Sequence, residues 1–185
     1  PFEYAALFGC AVLTGVGAVV NTARVSPGSS VAVAGLGGVG LNALLGAVLA
    51  GARQIIAVDL SEEKLAFAKD LGATHTVQAA DPDAVKIIKE LSKGGVDYFF
   101  EMAGSVRALE TAYLATARGG TTVTAGLPHP DHKLSLQAVS LTAEERTLKG
   151  SYIGSCVPRR DLPHYVSLFK SGRLPVDKLL THRLK

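Results

Sequence analysis

The stretch VAVAGLGGVG, Val31 to Gly40, constrains this chain more than any other. Four apolar residues of the kind buried on both faces of a sheet run straight into Gly35-x-Gly37-x-x-Gly40, and LNALLGAVLA follows with helical composition. Gly51 is placed to stop that helix, and Gln54-Ile55-Ile56-Ala57-Val58 reads as a second buried strand ending at Asp59. A strand, a glycine turn, a helix and a second apolar strand make one β-α-β unit, whose crossover places the two strands parallel.

The unit repeats. Ser61-Glu62-Glu63 offers a cap and two acids to a helix carrying Leu65, Ala68 and Leu71, stopped at Gly72. His75-Thr76-Val77 reads as a third strand. Asp81-Pro82-Asp83 opens a helix with Asp81 as N-cap and proline at the first helical position, and Lys93-Gly94-Gly95 closes it. Val96 to Phe100 is a fourth strand; Ser105 caps a helix from Val106 to about Ala117, and Thr121 to Ala125 follows the Arg118-Gly119-Gly120 turn as the fifth. A short helix near Ser135 to Leu141 leads to a sixth strand, Thr147 to Ile153. Asp161 to Ser171 reads as a further helix and Lys178 to Leu184 as a strand. The sequence therefore predicts an α/β fold: a doubly wound six-stranded parallel sheet of Rossmann type, order 3-2-1-4-5-6, with helices on both faces.

In such a fold the glycines have separate tasks. Gly35 permits the sharp turn, Gly37 lets a pyrophosphate approach the backbone, and Gly40 lets helix and strand pack closely; Leu36, Gly38 and Val39 complete the cradle. The helix N-terminus offers unpaired N–H groups and a partial positive charge to the phosphates, so no lysine is needed. A P-loop is excluded, because no Gly-Lys-Ser/Thr follows, and the Gly-x-Gly-x-Gly turn of S-adenosylmethionine-binding folds is absent. Asp59 stands at the end of the second strand, 19 positions after Gly40, where an acid accepts hydrogen bonds from the adenosine ribose. A 2′-phosphate there would meet a carboxylate at a cost of about 4 kcal/mol for one charge pair at ~4 Å and an effective dielectric of ~20, which favours NAD over NADP. A ligand lying across the strand ends would also pass Met102-Ala103-Gly104, Ala125-Gly126-Leu127 and Ser151-Tyr152-Ile153, whose backbone groups are candidates to hold ribose and carboxamide.

Composition limits the alternatives. With 185 residues, 48% of them hydrophobic, the chain can bury a full core as one domain with end segments. Its 19 basic and 16 acidic residues are scattered, which argues against nucleic acid as a partner. Tyr4 to Val20 carries no charge, yet it is short, rich in Ala and Gly and has no basic flank, so a buried helix is expected rather than a membrane anchor. Two cysteines, Cys10 and Cys156, are too few for a disulfide framework and suit a reducing, cytoplasmic setting. The five histidines, His75, His129, His132, His164 and His182, lack the spacing of a metal cluster; Asp131 and Arg159-Arg160 read as solvated charges.

FGCAVLTGVGAVVNTARVSPGSSVAVAGLGGVG, IIAVDLSEEKLAFAKDLGATH and GGVDYFFEMAG, followed in order by ARGGTTVTAGLP and LKGSYIGS, resemble the medium-chain, zinc-type alcohol dehydrogenase family over essentially the whole chain. The resemblance implies reversible hydride transfer between an alcohol or aldehyde and NAD, with zinc polarising the alcohol oxygen. It makes Cys10 one ligand of that zinc and places Thr14 beside the nicotinamide, while Leu60 and Lys64 join Asp59 around the adenosine. Residues 1–25 would hinge to an absent catalytic domain that supplies the other ligands, 26–157 form the dinucleotide-binding domain and 158–185 a truncated C-terminal helix and strand. The abrupt start at Pro1 fits an excised piece. The family further implies a homodimer paired through the sixth strand, with a tetramer also open. Two rival expectations stand beside this one: a zinc-free oxidoreductase of the quinone-reductase type, against which Cys10 argues, and a nucleotide-binding module without turnover.

Overall fold

The computed structural model describes residues 2–180. Six strands, β1 (Ser30–Ala34), β2 (Gln54–Asp59), β3 (His75–Gln78), β4 (Val96–Glu101), β5 (Thr116–Thr124) and β6 (Thr147–Gly150), form a single sheet in the order β3-β2-β1-β4-β5-β6. Every neighbouring pair is parallel, so the sheet is the doubly wound Rossmann arrangement that the sequence predicts.

Alternate strand residues feed two separate cores. Val31, Val33, Ile55, Ala57 and Phe100 face one side, and Ala32, Ala34, Ile56, Val58 and Phe99 the other. All ten are at least nine-tenths buried, which is why β1 and β2 read as unbroken apolar runs rather than as an alternating pattern. The first face is covered by α1 (Phe2–Ala23), α2 (Gly38–Leu49), α3 (Glu62–Asp70) and later α7 (Pro158–Lys170); the second by α4 (Ala84–Ser92) and α5 (Val106–Ala115). A short α6 (Ala138–Ala143) precedes β6.

Helix α2 is apolar nearly all round because it is sandwiched: one side lies on the sheet and the other under α1, with Val19 3.2 Å from where a Cβ on Gly46 would stand. By contrast α4 buries only Ala84, Ile88 and Ser92, one stripe at a spacing of four, and leaves its lysines outside. Helix α1 is long and apolar enough to cross a membrane by length and composition, and half of its most apolar window is buried inside the molecule. It changes to π-helical turns over Phe8–Val12 and Ala18–Ala23 and ends at Arg24 in the left-handed conformation.

Several local expectations change. Pro82 precedes the helix rather than opening it: α4 begins at Ala84, and the Asp81 carboxylate accepts the Asp83 N–H in a tight turn instead of capping. Ser105 occupies the N-cap position of α5, but its side chain makes no capping bond. The Arg118-Gly119-Gly120 turn is a bulge inside β5, since Val96 pairs with Thr116 while Tyr98 pairs with Thr121. Helix α5 accordingly stops at Ala115, before the expected Ala117, and β5 closes at Thr124. Strand β6 ends at Gly150, and Ile153–Ser155 is a 3₁₀ turn rather than strand. The strand expected over Lys178 to Leu184 begins instead as part of a 3₁₀ turn, Val176–Leu179, and its residues 181–184 lie outside the described residues.

Candidate dinucleotide site

Register fixes where the strands end. Val58 pairs with Ala34, Ala34 with Glu101, Glu101 with Thr124 and Thr124 with Gly150, so one row of residues crosses the sheet at its C-terminal edge. The residue after each of β1, β4, β5 and β6 continues the ladder: Gly35 N–H donates to the Val58 carbonyl, Met102 to Ala34, Ala125 to Glu101 and Ser151 to Thr124. The segments singled out in the sequence therefore leave the sheet side by side, on both sides of the β1/β4 reversal, where helices depart to opposite faces and open a crevice.

The three glycines differ in what surrounds them. Gly35 has φ +85°, and a Cβ there would stand 2.6 Å from the Ala103 nitrogen. A Cβ on Gly40 would overlap the Gly35 carbonyl oxygen. At Gly37, the N-cap of α2, nothing lies within 4 Å, so its missing side chain leaves open space rather than packing. Gly38 and Val39 form the first turn of α2 behind it, close to α1: the Ala11 methyl is 3.6 Å from a Cβ built on Gly38.

Beside this turn lies a cleft of ≈ 480 Å³ bordered by Gly35, Leu36, Gly37, Asp59, Leu60, Lys64, Met102 and Ala103. Asp59 is buried at its floor, where its two carboxylate oxygens accept the Leu36 N–H at 2.6 Å and the Ser61 N–H at 2.9 Å. Each oxygen keeps a lone pair for a further donor. The carboxylate thus ties the glycine turn to the start of α3, where Ser61 caps through the Lys64 N–H at 3.4 Å. Ser105, Arg107, Ala108 and Thr111 from α5 and its approach, with Ala79 and Ala80 after β3, complete the walls. The sequence places none of these at the site, Ser105 being read only as a helix cap, because their types are ordinary for a helix face and a loop.

Glu101 was also missed. It is 1% exposed at the end of β4, and its Oε1 accepts the N–H groups of Ala103 at 2.8 Å, Gly104 at 2.7 Å and Ser105 at 3.3 Å, while Oε2 accepts the Thr124 hydroxyl at 2.7 Å. Its partners are the N–H groups of the loop before α5, not those of the first helical turn that a Ser105 cap would accept. Gly104 and Gly126 then meet backbone to backbone, and Leu127 is exposed beyond them. A charged residue ending an apolar strand just before Met-Ala-Gly is the signal that could have revealed this role.

Thr14 is buried in α1, and Cys10 is exposed with a free thiol. A Cβ on Gly15 would overlap the Val39 carbonyl, which sets this part of α1 directly on the first turn of α2. Ser151 is buried; Tyr152 and Ile153 are exposed. Thr14, Ala125, Gly126, Leu127 and Ser151 to Ile153 do not border the Asp59 cleft; they stand farther along the same edge, toward β5 and β6. Behind α1, burial raises the Cys156 thiol and the Tyr165 phenol above their ordinary values, and the hydrogen bond from Arg160 holds the Asp161 carboxyl below its own. Arg160 is solvent-exposed, as expected, and pairs with the buried Asp161.

A dinucleotide fits this arrangement, with open space at Gly37, an acid with spare acceptor capacity and a cleft between them. Zinc does not fit it alone: among the described residues no group of three His, Cys, Asp or Glu side chains converges, and a catalytic zinc takes three protein ligands.

A profile of the zinc-binding dehydrogenase family matches residues 38–171. The chain belongs to the zinc-binding dehydrogenase family. Among curated relatives, the chain is 38% identical to alcohol dehydrogenase 1 of Trifolium repens, over 100% of its own length and 49% of the relative's. It is also 38% identical to alcohol dehydrogenase 2 of Zea mays, over 98% and 48%. Among solved structures, benzyl alcohol dehydrogenase from Acinetobacter calcoaceticus superimposes with a TM-score of 0.94 at 37% identity, covering 97% of this chain and 49% of that one. The chain spans about half the length of the relatives it matches.

Proposed function

We propose that this chain is the NAD-binding half of an alcohol dehydrogenase that moves hydride reversibly between a small alcohol and the cofactor. The observation that carries the reading is the division of labour among the glycines: two are crowded by protein backbone and the third, Gly37, faces open space beside a buried carboxylate. The N–H groups of the first turn of α2 receive the pyrophosphate there, and Asp59, with Lys64, holds the adenosine ribose. Leu60, Met102 and Ala103 line the adenosine half. Thr14, Ala125, Gly126, Leu127 and the Ser151 to Ile153 backbone fix the nicotinamide half, excluding water from one face of the ring and reducing its freedom to misorient. When bound, NAD supplies the hydride acceptor. Cys10 offers one sulfur donor toward a zinc whose remaining ligands come from outside the described residues, which also favours a second reading of the 185-residue chain by itself as a binding module without turnover. The two free thiols suit a reducing, cytoplasmic setting.

Fluorescence titration of the chain with NADH and NADPH tests the proposal. NADH is expected to saturate, with NADPH at least about tenfold weaker because its extra phosphate meets Asp59. No saturable NADH signal would overturn the reading, and equal affinities would overturn the role of Asp59.

A further inference from the structure

The backbone after β6 is strained. Ile153 has φ 49°, Gly154 63° and Ser155 49°, three successive residues in the left-handed region, the first of them β-branched. A β-branched residue with positive φ is a genuine outlier, and such strain persists only where the surroundings over-determine it. Here they do: beside the turn's own backbone bonds, in which Ser155 N–H donates to the Tyr152 carbonyl and Cys156 N–H to that of Ile153, the close restraints on it come from α1. A Cβ on Gly17 would stand 2.5 Å from the Gly154 oxygen, and one on Gly154 would overlap the Leu13 carbonyl, so helix and turn meet without intervening side chains. The Thr22 hydroxyl lies 2.8 Å from the hydroxyls of both Ser151 and Ser155, bridging the two ends of the turn. Asn21 reaches the Gly154 carbonyl at 3.3 Å, and the Cys156 thiol, kept protonated by burial, donates to the Leu13 carbonyl at 3.2 Å.

Leu13 precedes Thr14, and Ser151 precedes Tyr152. The restraints therefore join two segments that the dinucleotide reading places around one nicotinamide ring, and they act far from the Asp59 cleft. We propose that Thr22 is a positioning residue for the nicotinamide half of the cofactor: its paired hydrogen bonds lock the left-handed turn onto α1, so that Thr14 and the Tyr152–Ile153 backbone keep a fixed separation. The proposal rests on the dinucleotide reading. Thr22 touches no cofactor atom itself; it acts through Ser151 and Ser155. Asp59 and the glycine turn belong to the other half and take part in none of these bonds.

ADP-ribose and NADH differ by the nicotinamide, so their affinities separate the two halves. In titrations of the 185-residue chain, Thr22→Val is expected to weaken NADH by about tenfold, the loss of one to two hydrogen bonds, and to leave ADP-ribose within about twofold. Thr22→Ser, which keeps the hydroxyl, is expected to retain the wild-type ratio. A merely structural role for Thr22 would weaken both ligands in parallel, or lower the melting temperature and move neither, and each result would overturn the proposal. Wild-type chain that binds ADP-ribose as tightly as NADH would overturn it too while sparing the pyrophosphate site. Failure to bind ADP-ribose at all would instead overturn the dinucleotide reading beneath it.

Discussion

Gly37 and Gly40 stand three residues apart in one turn and make opposite demands on a side chain. A methyl group at Gly40 meets a carbonyl oxygen of Gly35, and neither backbone can yield unless α2 lifts from β1. A methyl at Gly37 enters open space at φ −80°, a conformation any residue adopts. Gly40→Ala is therefore expected to destabilise the fold by about 3 kcal/mol, the upper range of overpacking, and to lower the melting temperature by about 6 °C or more. Gly37→Ala should melt within about 2 °C of wild type, yet lose at least about tenfold in NADH affinity, because its methyl occupies the space proposed for the pyrophosphate. Calorimetry and fluorescence titration on both variants check the pair. Loss of stability in Gly37→Ala, or retained cofactor affinity, would contradict the assignment of space to ligand. The spacing of these glycines was legible in the sequence; which of them faced the ligand was a reading of the motif that the packing supports at Gly40 and leaves room for at Gly37.

Between β4 and α5 the chain turns through Met102-Ala103-Gly104 around a single buried carboxylate. Glu101→Ala would strand three N–H groups and the Thr124 hydroxyl without an acceptor, and unsatisfied buried groups cost about 1–3 kcal/mol each, so a loss of about 4 kcal/mol in urea unfolding is expected after partial rescue by water. Glu101→Gln keeps one oxygen for the loop, and the Thr124 hydroxyl can rotate to accept from the new amide, so a loss of only about 1 kcal/mol is expected. Equal losses in the two variants would show that the loop does not depend on that oxygen. This element illustrates what sequence could and could not reveal. Apolar runs such as Ile55 to Val58 declare a doubly covered strand because every residue is buried, and Ser61 declares a cap because cap and helix are neighbours in the chain. The Glu101 carboxylate reaches the N–H groups of the loop before α5 from the strand side, and the Thr22 restraint joins residues more than 120 positions apart. Neither leaves a local pattern. The bulge in β5 was misread as a plain turn for a related reason: Gly119 allows the reversal, but only pairing with β4 carries the strand on both sides of it.

At the scale of the whole molecule, β3 and β6 are the edges of the sheet, and they differ in cover. Lys149 and Gly150 of β6 are exposed, and the strand has only four residues. Because Ser151 donates toward β5, alternation along the ladder turns the N–H groups of Leu148 and Gly150 outward, away from β5. An unpaired outward edge is a template for a second copy, and antiparallel pairing of two β6 strands about a two-fold axis would extend both sheets through one closed interface. The homodimer proposed on this basis has a specific weak point. Leu148→Pro removes one outward donor from each subunit without touching a bond to β5, so two intersubunit hydrogen bonds vanish together. At about 1 kcal/mol each, the dissociation constant should rise by about thirtyfold. Sedimentation velocity across a concentration series is expected to show a dimer for the wild-type chain and a shift toward monomer for Leu148→Pro, with ADP-ribose affinity retained because the Asp59 cleft is bordered by the ends of β1, β2 and β4 and not by β6. A wild-type chain that stays monomeric at high concentration, or a variant whose dimer is unweakened, would remove β6 as the assembly edge.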